Sequence, residues 1–188
     1  KVDLPYPLFV KPLAEGTGKG IDERSVILDT GELTKSCIHL LGTYRQPVLV
    51  ETFLSGREFT TGITGTGDDA RAIGTIEIKL LEHAEKNVYS YVNKEECETL
   101  VEYLPVQGKE KEECEKLALE AYRVLGCEDA GRVDIRYDAS GKPSFMEINP
   151  LPGMHPEHSD LPILARLNGI AYPTLMKMIM DSAIIKIR

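Results

Sequence analysis

Gly131-Arg132-Val133-Asp134-Ile135-Arg136-Tyr137, then Asp138-Ala139-Ser140-Gly141, then Lys142-Pro143-Ser144-Phe145-Met146-Glu147-Ile148-Asn149 is the stretch that decides the fold. Two alternating runs flank a turn rich in Asp, Ser and Gly, the pattern of a β-hairpin. With the turn centred between Ser140 and Gly141, facing residues carry numbers that sum to 281, so Asp134 faces Glu147 and Arg132 faces Asn149. Strand alternation puts these four side chains on one face and Val133, Ile135, Met146 and Ile148 on the other. Directly opposed Cβ atoms lie about 4.5–5.5 Å apart. Two carboxylates that close repel unless a cation sits between them. Magnesium takes oxygen ligands and is commonly held by one or two carboxylates plus substrate phosphates, which suits Asp134, Glu147 and the amide oxygen of Asn149 as metal ligands. A strand face of merely solvated charges is the other reading. The facing register and the loop that leaves directly after Asn149 favour the metal.

Outward from the hairpin, apolar periodicity predicts strands over 7–11, 24–28, 47–53, 57–65, 70–79 and 87–92, besides 131–137 and 143–149. It predicts helices over 30–44, 109–125, 160–168 and 172–182, which makes a mixed α/β chain of the α+β class. Thr30 is expected to cap the first helix, with Glu32 favourable to its dipole, and Gly126 to stop the second. The segments 12–23 and 150–159 are long, irregular and rich in Gly or Pro, as functional loops often are.

Composition narrows the classes. The 188 residues are 42% hydrophobic and 28% charged, with no apolar run near the length of a membrane span. Subtracting 30 acidic from 22 basic residues gives a net charge of −8, which argues against a broad nucleic-acid or anionic-membrane surface. Phosphate binding must therefore be local. Cys37, Cys97, Cys114 and Cys127 form no C-x-x-C pair and no zinc spacing, so they read as free thiols of a reducing compartment, the cytoplasm. No charged and then apolar leader opens the chain. It starts on Lys1 and reaches Leu8-Phe9-Val10 almost at once, the start expected of a piece of a longer protein.

The order of Asp134, Glu147 and Asn149 followed by Pro152-Gly153-Met154 resembles the metal-binding end of the D-alanine–D-alanine ligase family, and the likeness runs almost end to end. Phe9-Val10-Lys11-Pro12-Leu13-Ala14-Glu15-Gly16-Thr17-Gly18-Lys19-Gly20 resembles the family's first phosphate strand and glycine-rich loop. Val48-Leu49-Val50-Glu51-Thr52-Phe53-Leu54-Ser55-Gly56-Arg57-Glu58-Phe59 resembles its adenine and ribose segment. The resemblance implies an ATP-grasp fold, with a smaller lobe over 1–55 and a larger one over 56–188 holding ATP between them. It also implies that an N-terminal substrate-binding part lies outside this chain.

By the same resemblance, Lys11 and Lys94 place ammonium groups on the ATP phosphates. Glu15, Gly16, Thr17 and Gly18 belong to the covering loop, whose backbone N–H groups form an anion nest. Glu51, Phe53 and Leu54 meet adenine, and Glu58 meets the ribose. Two magnesium ions, replaceable by manganese, complete the nucleotide site. The reaction implied is ligation of two amino acids: a carboxylate attacks the γ-phosphate, and an amine then displaces phosphate from the acyl phosphate. Arg132 would stabilise the developing charge, and the Gly153 N–H would help form an oxyanion hole. Ser159 and Leu161 would bind the acceptor's carboxylate at a helix start. The partners implied are small amino acids, neither nucleic acid nor membrane, and the family allows a homodimer in the full-length protein.

The sequence departs from the family at Pro150, at Glu95 and by one extra residue between Met154 and Ser159. These departures keep open a ligase with another amino-acid or hydroxy-acid acceptor. A nucleotide-binding module without catalysis is the remaining alternative, against which the retention of Arg132, Asp134, Glu147 and Asn149 in register counts.

Overall fold

The computed structural model describes residues 2–16, 18–80 and 101–186. They divide into two compact units, one running to Ser55 and taking in Leu80, Val101 and Glu102, the other built from Gly56–Lys79 and from Tyr103 onward.

In the first unit, β1 (Leu8–Pro12) lies between β2 (Val26–Ile27) and β3 (Val48–Thr52) in an antiparallel sheet. Leu8 and Val10 are fully buried and pack with Ile27 and with Leu40 of α1 (Thr30–Tyr44). Alternation then turns Phe9 and Lys11 to the opposite face of the strand. The cap of α1 is Asp29 rather than the expected Thr30. Asp29 is extended, and its carboxylate accepts the Glu32 N–H at 2.9 Å, while Glu32 reaches back to the Leu28 N–H at 2.7 Å. The Thr30 hydroxyl instead bonds the Tyr6 hydroxyl at 3.1 Å.

The second unit carries β4 (Glu58–Thr64), β5 (Arg71–Leu80), β6 (Val101–Pro105), β7 (Ala130–Tyr137) and β8 (Pro143–Asn149) in the sheet order β6-β5-β4-β7-β8. Beneath one face runs α2 (Lys109–Val124), whose Cys114, Ala118 and Tyr122 meet Phe59, Ile63, Val133 and Ile135. Burying Phe59, Ile63, Val133 and Ile135 stabilises by about 1.5–3 kcal/mol each. The Tyr122 hydroxyl, carried into that core, donates to the Gly65 carbonyl at 3.1 Å, so it is not left unpaired.

Against the opposite face lie α3 (Asp160–Leu167) and α4 (Tyr172–Ile185), joined to Ile73 and Ile76 through Leu161, Leu164 and Leu175. Gly62 makes this seat possible. A Cβ there would stand 2.8 Å from a methyl of both Leu161 and Leu164, so only a bare strand lets α3 lie this close. Gly62 pairs with Arg132 across β4 and β7, which brings the start of α3 to the same row as the polar residues of the hairpin.

The hairpin register holds where it matters and slips at the tip. Arg132 pairs with Asn149 and Asp134 with Glu147, as expected, but Ile135 pairs with Phe145 and Tyr137 with Pro143. The turn is centred on Ser140: the Asp138 N–H donates to the Lys142 carbonyl at 2.9 Å, and Gly141 takes φ 77°. A bulge after Asp134 then restores the expected pairing. Met146 is the extra residue, half-buried rather than in the core with Val133 and Ile135. Strand β6 was not among the expected strands. The strand expected over 87–92 lies outside the described residues.

Candidate functional site

Asp134 is the centre of a polar row on the face shared by β4, β7 and β8, and it is only 7% exposed. Its Oδ1 accepts from the Thr60 hydroxyl at 2.7 Å and from Arg132 Nε at 2.9 Å. Its Oδ2 accepts from Arg132 Nη2 at 2.9 Å and from Asn149 Nδ2 at 3.2 Å. Arg132 thus grips Asp134 with two parallel bonds, the strong geometry of a guanidinium on a carboxylate. Its remaining nitrogen, Nη1, donates to Asp160 in the first turn of α3, and the Tyr103 hydroxyl donates to that carboxylate at 2.8 Å. Burial works against the charge on Arg132, but Asp134, Asp160 and Glu147 outweigh it and hold its pKa above the ordinary value.

The repulsion expected between Asp134 and Glu147 is therefore relieved by a cation of the chain's own. Glu147 stands exposed opposite Asp134. Among the described residues no three His, Cys, Asp or Glu side chains converge on one point. The donor set on this face is two carboxylates and an amide oxygen. These are hard oxygen donors, too few to enclose an ion, and that fits magnesium, which keeps positions for phosphate and water. Further along the row, Glu58 and Arg136 pair across β4 and β7, with Arg136 Nη1 3.6 Å from Glu58 Oε2.

Past Asn149 the chain enters the loop that carries Gly153. A Cβ at Gly153 would meet the Ser159 hydroxyl oxygen at 2.7 Å, so glycine is what allows the loop to fold back on the start of α3. Ser159 is the residue before α3. Its hydroxyl accepts from the His155 N–H at 3.0 Å, and its own N–H donates to the His155 carbonyl at 3.1 Å. Leu161 is fully buried in the core, so only its backbone can serve a ligand.

In the first unit, the Lys11 ammonium lies 2.8 Å from the carboxylate of Glu51, which pairs with Phe9 in the register of β1 and β3. Glu15 accepts from Gln46 Nε2 at 2.9 Å and pairs with Lys19 at 3.2 Å, which fixes the near side of the glycine-rich loop. Gly18 takes φ 75°, and its carbonyl accepts the Ile21 N–H at 3.0 Å. The Gly16 carbonyl accepts the Lys19 N–H at 3.1 Å. Phe53 stacks on Phe9 with ring centres 6.3 Å apart, and Leu54 beside it is half-buried. Thr17 and Lys94, like Glu95, lie outside the described residues.

Sequence reasoning missed Thr60, Tyr103 and Asp160. Thr60 alternates with Glu58, but only the pairing of β4 with β7 shows which strand it faces. Asp160 reads in sequence as an ordinary acid of a first helical turn. The three thiols among the described residues, Cys37, Cys114 and Cys127, are free, and burial pushes the Cys114 thiol up to about 11. Among the described residues no helix is long and apolar enough to cross a membrane.

Two α+β units built on antiparallel sheets, one of them bearing this row of acids and guanidinium, define a protein of the ATP-grasp class. The family model described as the D-ala D-ala ligase C-terminus matches residues 1–181, and the chain belongs to that family. It is 35% identical over 187 residues, 98% of its length, to a D-alanine–D-alanine ligase of Bordetella avium, of which it covers 56%. To a D-alanine–D-alanine ligase of Nitrosospira multiformis it is 36% identical over 183 residues, covering 96% of this chain and 56% of that one. Among solved structures, a D-alanine–D-alanine ligase of Bacillus anthracis complexed with ATP superposes with a TM-score of 0.69 at 27% identity, over 95% of this chain and 53% of the other. The VanG D-Ala:D-Ser ligase of Enterococcus faecalis shares the fold, with a TM-score of 0.74 at 24% identity over 96% of this chain and 50% of that one. The chain therefore spans about half the length of the curated relatives it matches.

Proposed function

We propose that this chain is the nucleotide-binding and metal-binding catalytic part of an ATP-dependent ligase that joins D-alanine to D-alanine in the cytoplasm, for cell-wall precursor synthesis. The observation that carries the reading is the register that sets Asp134 against Glu147 and Arg132 against Asn149 in a member of this family.

Phosphoryl transfer asks for positioning and charge neutralisation more than for covalent chemistry. Lys11, and Lys94 with it, would place an ammonium on the phosphates. Glu15, Gly16, Thr17 and Gly18 would close over them with backbone N–H groups, and Gly18 already holds the positive φ that such a nest uses. Glu51, Phe53 and Leu54 would receive adenine, and Glu58 the ribose hydroxyls. Asp134, Glu147 and Asn149 would hold magnesium, which when bound neutralises phosphate charge and aligns the transferring group. Arg132 would offer its guanidinium to the developing charge, and the Gly153 N–H would offer a bond to the tetrahedral oxygen. Ser159 and the Leu161 N–H, at the start of α3, would take the acceptor's carboxylate.

One observation favours a second reading of the acceptor. Asp160 puts a carboxylate at the helix start where an acceptor carboxylate is expected, paired there with Arg132 and hydrogen-bonded by the Tyr103 hydroxyl. With the extra residue between Met154 and Ser159 it alters the acceptor's place, and the reading these departures support is an acceptor other than D-alanine, a hydroxy acid among them. Phosphate release from ATP, measured on the protein extended to the length of its relatives and across a panel of amino and hydroxy acids, tests both. Release that depends on D-alanine alone supports the first reading. Release driven better by another acceptor supports the second, and no acid-dependent release with any of them sinks both.

A further inference from the structure

Asp160 takes no part in the metal-binding and phosphoryl-transfer roles assigned above, yet its carboxylate is only 15% exposed and it shares the Arg132 guanidinium with Asp134. Each oxygen of Asp134 already takes two donors, and one donor of each pair belongs to Arg132. A divalent cation drawn to Asp134 must displace some of these. The Arg132 bonds are the ones that yield, because two cations on one carboxylate repel while the neutral donors Thr60 and Asn149 do not. Once released, a guanidinium in so enclosed a place needs another anion. Asp160 is that anion, itself fixed by the Tyr103 hydroxyl at 2.8 Å and by the first turn of α3.

We propose that Asp160 is a positioning residue that retains the Arg132 guanidinium in the site and thereby lets Asp134 exchange it for a divalent cation. This rests on the reading of Asp134 as a metal ligand. With Asp160 neutralised, Asp134 becomes the main anion gripping Arg132, and the metal must compete against a tighter ion pair. Asp160 thus governs metal affinity without touching the metal.

The test is a double-mutant cycle read by Mn²⁺ affinity, from the loss of the free Mn²⁺ resonance on titrating the 188-residue chain. Asp160→Asn is expected to weaken Mn²⁺ binding by roughly ten-fold, inside the range for charges of one network. Tyr103→Phe, which frees Asp160 from its tether, shifts affinity the same way by less. In the Arg132→Gln background, Asp160→Asn is expected to change affinity by less than about two-fold, since no guanidinium remains to be relocated. Equal losses in both backgrounds would mean that Asp160 acts as a plain negative charge near the ion, and would overturn the inference alone. So would unchanged affinity in Asp160→Asn. Should Asp160→Asn not fold, the same cycle is run with Tyr103→Phe and read by the same criterion. A wild-type chain that takes up no Mn²⁺, with or without ATP, overturns the metal reading of the site and this inference together.

Discussion

Replacing Asp134 by Asn changes no volume, so its cost measures the network itself. The amide has one acceptor and one donor end. If the donor takes the place of Oδ2, it faces Arg132 Nη2 and Asn149 Nδ2. If it takes the place of Oδ1, it faces Arg132 Nε, while the Thr60 hydroxyl can rotate to accept from it. Either way one Arg132 N–H points at another donor, and the guanidinium loses its bidentate partner. Hydrogen bonds to charged groups contribute about 1.5–3 kcal/mol net, and breaking a buried pair costs about 3–5 kcal/mol. Asp160 still holds Nη1, which places the expected loss near the lower end, about 2–3 kcal/mol. For a chain of this size that lowers the melting temperature by roughly 4–12 °C. The assay is thermal unfolding with EDTA present, so that metal binding cannot contribute. A melting point within about 2 °C of wild type would refute the claim that this carboxylate carries Arg132.

Glu147→Gln should leave thermal stability within about 0.5 kcal/mol, since Glu147 is exposed. It should also remove magnesium-dependent ATP binding in calorimetry, and unchanged affinity would take Glu147 out of the metal set. Gly62→Ala should cost about 1–3 kcal/mol by overpacking, because its methyl would meet Leu161 and Leu164 at 2.8 Å. A crystal structure of that variant should show α3 displaced from β4, and a helix left in place at full stability would contradict it. Burial pushes the Asp129 carboxyl up, and the bonds from Lys186, Ser182 and Thr66 outweigh it and hold it below the usual carboxylate range. A lowered value adds stability that is full above the unfolded pKa of about 3.9 and is lost as pH falls through the folded one. Asp129→Asn should therefore be less stable than wild type at pH 7, by a margin that shrinks below about pH 4. A margin that persists in acid would assign the loss to something other than charge.

The sequence carried the hairpin because its two strands alternate cleanly and its turn residues are unambiguous, and that alone predicts which acids face each other. The helices were legible for the same reason, since α1, α2, α3 and α4 each show an apolar stripe and end close to where expected. What escaped was of two kinds. Local competition between neighbouring caps gave the start of α1 to Asp29, because both Asp29 and Thr30 can accept a first-turn N–H and only the backbone shows which is extended. Long-range pairing hid the rest. Thr60 and Asp160 are separated from Asp134 by other elements, and nothing in their own surroundings marks them as its partner and as the second anion on Arg132. Strand β6 is short, ends on Pro105 and alternates over too few residues to stand out.

The bulge after Asp134 divides β8 into two ladders that obey different arithmetic, and its consequence is mechanical insulation. Three pairs near the tip answer to the geometry of the Ser140 turn, whereas three pairs beyond it answer to the row that carries the acids. Rebuilding the tip with another turn sequence of equal length changes how readily the two arms find one another. The spacing of Asp134 and Glu147 is set on the other side of the seam and does not inherit the change.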